Sequence, residues 1–224
     1  MKVITPAHLK FLKDLSDNNN RKWFSENKLR YDTVQKEVKD FFDSVYREMQ
    51  KSDSLQEFHM HRIYRDLRFS KDKTPYKTHF RLYLGRTKPL LRGGYYLNIA
   101  PGQSAVSGGF WKPESKDLLR IRKEIASDSR ELQKIFSAKK FVRFFGTIQG
   151  EALETNPRGF TGLTEGGDLI RMKQFIARRY FTDAEVTNPN FMAAVISTFK
   201  ALRPFFDYMS EVLTTDENGE SLYQ

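Results

Sequence analysis

Thr78-His79-Phe80-Arg81-Leu82-Tyr83-Leu84-Gly85 alternates residue by residue, with Thr78, Phe80, Leu82 and Leu84 on one side and His79, Arg81, Tyr83 and Gly85 on the other. That repeat of two is the pattern of a half-buried antiparallel strand. Upstream, Phe58, Met60, Arg62 and Tyr64 alternate with His59, His61, Ile63 and Arg65. Downstream, Gly93-Gly94 suggests a turn, Tyr95–Ala100 another strand, Pro101-Gly102 a second turn and Gln103–Trp111 the partner strand. A meander of three or four strands is expected.

Helices flank it. Thr5 is a candidate N-cap with Pro6 at the first helical position, and Leu9, Leu12 and Leu15 form one apolar row. Asp17-Asn18-Asn19-Asn20 should end that helix. A second helix is expected from about Arg21 to Met49, where Phe24, Tyr31, Val38 and Val45 recur every seven residues beside Val34 and Phe41. Two helices joined by a short turn predict an antiparallel hairpin packed on the sheet, with a dimer seam along residues 21–49 as the alternative. After Pro113, Leu118, Ile121, Arg122 and Ile125 mark a helix, and Ser127 or Asp128 can cap a second one carrying Leu132, Ile135 and Phe136. Residues 141–154 and 173–181 read as extended, and 156–160 and 162–167 as loop. Asn188-Pro189 opens a last helix, expected to kink near Pro204. The fold class is therefore α+β: a mostly antiparallel sheet packed with an N-terminal helical hairpin and C-terminal helices. One domain is expected over residues 1–215, with a flexible tail over 216–224.

The chain has 224 residues, 39% hydrophobic and 14% aromatic, which suffices for a core without disulfide or metal staples. The absence of cysteine excludes a disulfide scaffold, a Cys-ligated zinc and a thiol nucleophile. No run approaches about 18 apolar residues, and Met1–Pro6 has no signal-peptide core, so a cytoplasmic protein without a membrane partner is expected. The net charge of +10 is concentrated. Between residues 62 and 92 there are ten basic side chains against two acidic ones, Asp66 and Asp72, a net +8. Such a focus attracts anions, and the early positions Arg62, Arg65 and Arg68 are the type that grips phosphate or carboxylate with two prongs. A solvated charged face is the plainer alternative.

Within this basic run lies Arg62-Ile63-Tyr64-Arg65-Asp66-Leu67-Arg68-Phe69-Ser70-Lys71-Asp72-Lys73-Thr74-Pro75-Tyr76-Lys77-Thr78. It closely resembles the signature RIYRDxRFSxDKxPYK of the domain of unknown function 2461 family. Asn18-Asn19-Asn20-Arg21-Lys22-Trp23-Phe24, with Tyr31 following, is similar to that family's NNxxxWF start of the long helix. Tyr95-Tyr96-Leu97 and Gly108-Gly109-Phe110-Trp111-Lys112-Pro113 resemble its glycine-rich strand pair, although Phe110 here separates the glycines from Trp111. Arg122 and Asn156-Pro157-Arg158-Gly159-Phe160 resemble its later markers. The likeness spans nearly the whole chain. It implies a fold of bacterial and fungal proteins with no established activity, so it supplies no substrate, cofactor or catalytic residue.

The chemistry is then a matter of residues. The candidate ligand-binding set is Arg62, Arg65, Asp66, Arg68, Ser70, Lys73, Tyr76 and Lys77. Asp66 among arginines has a lowered pKa, which makes it a better orienter of guanidinium groups than a general base. A Ser70–Lys73 nucleophile dyad lacks an oxyanion-hole signature. His59 and His61 share a strand face with His79 nearby in sequence and Asp66 as a conceivable third ligand, but cationic surroundings disfavour a metal, and none is expected. Gly108-Gly109 either lets a ligand approach the backbone or marks a bulge. No Walker loop, GxGxxG, zinc spacing, HExxH or nucleophile elbow occurs. Three readings follow: a site for a phosphate- or carboxylate-bearing small molecule, which is preferred; a nucleic-acid-binding module using the same patch; and a non-catalytic scaffold whose motif is an ion-pair lattice. Monomer or weak dimer, cofactor and reaction stay open.

Overall fold

The computed structural model describes residues 2–162 and 166–223. The loop expected over 162–167 lies outside the described residues at positions 163–165. The chain runs α1 (Pro6–Asp17), α2 (Arg21–Glu26), α3 (Lys28–Gln50), β1 (Leu55–Met60), β2 (Phe80–Arg86), β3 (Gly94–Ile99), β4 (Ser104–Phe110), α4 (Ser115–Ser127), α5 (Arg130–Ser137), α6 (Lys139–Phe145), α7 (Gly167–Arg171), β5 (Phe175–Phe181), α8 (Asp183–Val186) and α9 (Phe191–Thr214). The strands form one antiparallel sheet in the order β1-β2-β3-β4-β5, so the fold is α+β with helices at both ends of the chain. Among the described residues no helix is long and apolar enough to cross a membrane. The chain divides into two compact units. The first takes the residues up to Leu84, Tyr96–Val106 and Tyr180–Ser197; the second takes Gly85–Tyr95, Ser107–Arg179 and the chain from Thr198 on.

In the first unit, α1 starts at extended Thr5, whose N–H donates to His8 Nδ1 at 3.0 Å. The ring proton of His8 therefore sits on Nε2, 2.6 Å from Glu37. The single helix expected from Arg21 to Met49 is in fact α2 and α3, separated at Asn27. The Asn27 amide donates to the Trp23 carbonyl at 3.0 Å, a local bond that competes with the helical ladder. Tyr31, Val34, Val38, Phe41 and Val45 are buried as their spacing predicts. The chain's own residues cover them: Phe41 stacks on Phe191 with centroids 5.8 Å apart, and Tyr31 lies against Phe11 and Phe24. β2 keeps the expected alternation, with Phe80, Leu82 and Leu84 buried and Arg81 exposed.

In the second unit, α4 buries Ile121 and Ile125. Arg122 donates to the carbonyls of Ile170 and Met172, tying α4 to the end of α7. The extended segment expected over 141–154 is helical as far as Phe145. Phe141 and Phe145 are four apart and both buried, a helical spacing beneath an aromatic composition that favours strands. Gly146, at φ +67, stops it. α9 starts just after Asn188-Pro189 and continues through Pro204. Its Phe199 and Phe206 rings meet Tyr95 of β3, each at 5.0 Å. Arg86, only 1% exposed, pairs with Asp207 and donates to Ser210 and to the Arg92 carbonyl, while Arg92 pairs with Asp117.

Candidate anion-binding site at the root of the Arg62–Lys77 loop

The strand expected through Arg65 ends at Met60 as a regular element. Beyond it the chain makes a narrow neck and a looped tip. In the neck, His61 N–H donates to Arg81 O at 2.9 Å, Lys77 N–H to Ile63 O at 2.7 Å and Arg65 N–H to Pro75 O at 2.9 Å. Pro75 has no N–H to return, so the ladder thins to an isolated Tyr64–Tyr76 bridge.

The N-terminal helices fix the neck. The side-chain amide of Asn19 takes the Tyr76 N–H at 3.1 Å and gives a hydrogen bond to the Tyr76 carbonyl at 2.9 Å, acting as a short mimic of a neighbouring strand. The Tyr76 ring stacks on Phe24 with centroids 4.0 Å apart and planes 15° from parallel. Tyr76 is thus a core residue. The Asn-rich turn, the Trp23-Phe24 helix and the basic loop are distant in sequence and belong to one packed cluster.

The tip is braced from inside. Arg65 spans it with one guanidinium, pairing with Asp72 and bonding Thr74 Oγ1, and reaching Ser70 Oγ at 3.2 Å. Ser70 Oγ donates to the Asp72 carbonyl at 2.8 Å, and Asp72 accepts the Thr74 N–H at 2.9 Å. Lys73 Nζ donates to the Leu67 carbonyl at 3.1 Å. Ser70 and Lys73 therefore serve different partners and form no dyad. The Arg65 guanidinium holds the Asp72 carboxyl at about 2, with the Thr74 N–H and hydroxyl helping. Asp66 is gripped by Arg68 at 2.6 Å and is lowered by that side chain first, then by the Arg68 N–H. It stays ionised near neutrality.

The eight expected residues thus do not converge. Arg65, Ser70 and Lys73 brace the tip, Asp66 and Arg68 form an outward pair, and Tyr76 is in the core. Arg62 and Lys77 remain at the root of the loop, where Lys77 Nζ donates to the Arg62 carbonyl at 3.0 Å. Sequence reasoning left out of the set the residues that join them there: Arg81, His61 and His79. The alternation of residues 78–85 in the sequence carries the signal, because it sets His79 and Arg81 against Phe80 and Leu82; in the structure His79 immediately precedes β2. Among the described residues no carboxylate lies within salt-bridge distance of Arg62, Lys77 or Arg81. Half-burial lowers Lys77, and the charges of Arg81 and Arg62 lower it further. His79 is pushed down to about 4, by burial first and then by Arg81, Lys77 and His61. His61 is lowered too, by burial and then by His59, Lys77 and Arg81. The His59 and His61 rings meet edge to face at 4.5 Å, but no group of three potential metal ligands occurs among the described residues. On the adjoining sheet face Tyr83 and Tyr96 lie 4.7 Å apart.

Gly109 has no ligand-facing role that its geometry requires. At φ +145, a Cβ there would stand 2.0 Å from the Phe175 carbonyl, so glycine is dictated by close approach of β5.

Such a cluster, on a helix-flanked antiparallel sheet, defines an α+β protein with a group of cations outside salt-bridge contact with any described carboxylate. The chain belongs to the family described as conserved hypothetical protein (DUF2461), whose model matches residues 7–208. No curated protein and no solved structure matches it.

Proposed function

We propose that the chain binds a phosphate- or carboxylate-bearing ligand at the root of the loop, through Arg62, Lys77 and Arg81 with His61 and His79 beside them. The observation that carries this reading is the gathering of three cations with no described carboxylate in salt-bridge contact, Asp66, whose carboxyl feels the Arg62 charge, being already gripped by Arg68. Burial first, and the mutual repulsion of these cations second, hold Lys77 and His79 down. An anion placed among them would relieve that repulsion. For Arg65, Ser70 and Lys73 the internal lattice favours a structural role, so the motif combines a scaffold at its tip with a site at its root.

Thermal unfolding in inorganic phosphate against chloride at equal ionic strength tests it. A ligand that binds only the folded state stabilises by about 2.7 kcal/mol at a hundredfold excess over Kd. Stabilisation by phosphate in the wild type, reduced in the Arg62→Gln/Arg81→Gln variant, is the expected result. An identical phosphate response in both proteins would remove the proposed site.

A further inference from the structure

We infer that the loop tip is a stacking prong and that its partner is single-stranded nucleic acid, with Phe69 meeting a base and the root cations meeting phosphates. Phe69 is 95% exposed at the turn of the tip. Its one ring contact among the described residues is the Arg68 guanidinium, 5.9 Å from its centroid. An aromatic ring left so fully in water has no part in the fold. The bracing by Arg65 and Lys73 holds the loop on both sides of Phe69, so the backbone that carries the ring needs little further ordering on binding. The neighbours of Phe69 in the chain are Arg68, Ser70, Lys71, Asp72 and Lys73, and Tyr64 on the neck, packed on one side against Phe24 and Tyr76, is a second ring, 45% exposed.

Cationic side chains interleaved with exposed rings match a strand whose phosphates and base faces are both accessible. In a duplex the base faces are hidden in the stack. A membrane-inserting tip would need a broader apolar surface than one phenylalanine among charged and hydroxyl residues. The inference rests on the root cluster proposed above for its phosphate contacts, and Phe69 adds the base.

Fluorescence anisotropy with a labelled oligothymidine of about 15 nucleotides, at about 50 mM and about 200 mM salt, tests it. The wild type should bind with a log–log salt slope of about −0.7 per phosphate neutralised. Phe69→Ala should weaken binding about 5- to 150-fold while Phe69→Trp retains it. Because the side chain is exposed, both variants should unfold at the wild-type temperature, which separates stacking from folding. Equal binding by wild type and Phe69→Ala, a preference for duplex of the same length, or no binding at about 50 mM salt overturns the inference. So does Phe69-dependent binding to phosphatidylserine vesicles without oligonucleotide binding, which would assign the tip to a membrane surface. If phosphate still stabilises the protein while the oligonucleotide does not bind, the prong fails and the root site stands; if neither acts, both fail.

Discussion

Arg62, Arg65 and Arg68 are spaced three apart and look interchangeable in the sequence, yet each meets a different fate. Arg65 turns inward to Asp72, Thr74 and Ser70, Arg68 turns outward to Asp66, and Arg62 stays at the root beside Lys77. Composition tells that an anion-binding residue type is present; which arginine is already occupied depends on carboxylates seven positions after Arg65 and two before Arg68 in a loop of irregular geometry. The Asp72 brace has a definite pH dependence. Its carboxyl is held at about 2 against an ordinary 3.8, so the folded state favours the ionised form. The contribution to stability is complete above 3.8 and is lost as pH falls through about 2. Amide exchange at Thr74, whose N–H rests on Asp72, should accelerate relative to its intrinsic rate across that interval, and Asp72→Asn should show the faster exchange at neutral pH. Unchanged protection of Thr74 in Asp72→Asn would show that the brace lies elsewhere.

At the level of elements, the strands were legible because burial on one face imposes a repeat of two, and β2, β3 and β4 fall where that repeat and the turn glycines put them. Where the structure departs from the expected elements, a local contact or spacing outweighs the broader pattern. Asn27 breaks the long helix by bonding Trp23, and nothing in the heptad registers that. Phe141 and Phe145 have the composition of a strand and the spacing of a helix, and the spacing prevails. β4 and β5 offer a sharp test. Gly109→Ala would drive a Cβ into the Phe175 carbonyl at 2.0 Å and hold alanine at φ +145, so urea unfolding should show a loss of about 3 kcal/mol or more. Gly102→Ala shares a positive φ, +69, but meets nothing within 4 Å, and should cost only about 1 kcal/mol. Equal losses in the two variants would mean that close approach of the strands does not matter.

For the molecule as a whole, the net +8 of residues 62–92 is not one surface. Arg86 and Arg92 pair with Asp207 and Asp117 in the second unit, and Arg65 and Arg68 have their own carboxylates. What remains outside such pairs is smaller than the count of +8 suggests. That remnant should make binding depend on pH. His79 is held down to about 4 from an ordinary 6.5, so it is neutral at pH 7. An anion at the root favours its protonated form and raises its pKa, so binding takes up a proton. Affinity for sulfate, which stays a dianion throughout, should rise as pH falls from 6.5 towards 4, and the rise should shrink in His79→Gln, with His61 supplying the remainder. A sulfate affinity flat over that range would place the anion away from His79.

The partition into two units has a consequence for how the chain is made. Its path passes from one unit to the other five times, after Leu84, Tyr95, Val106, Arg179 and Ser197. A ribosome delivering this chain from its N-terminus cannot complete the first unit until Ser197 has emerged, by which point most of the second unit is also outside the tunnel. Partial translation products would therefore expose the unpaired edge of β4 until β5 is made, and neither unit can be excised as a continuous fragment. Truncations that look innocuous on a linear map, such as stopping before β5, should yield aggregation-prone nascent chains that depend on chaperones.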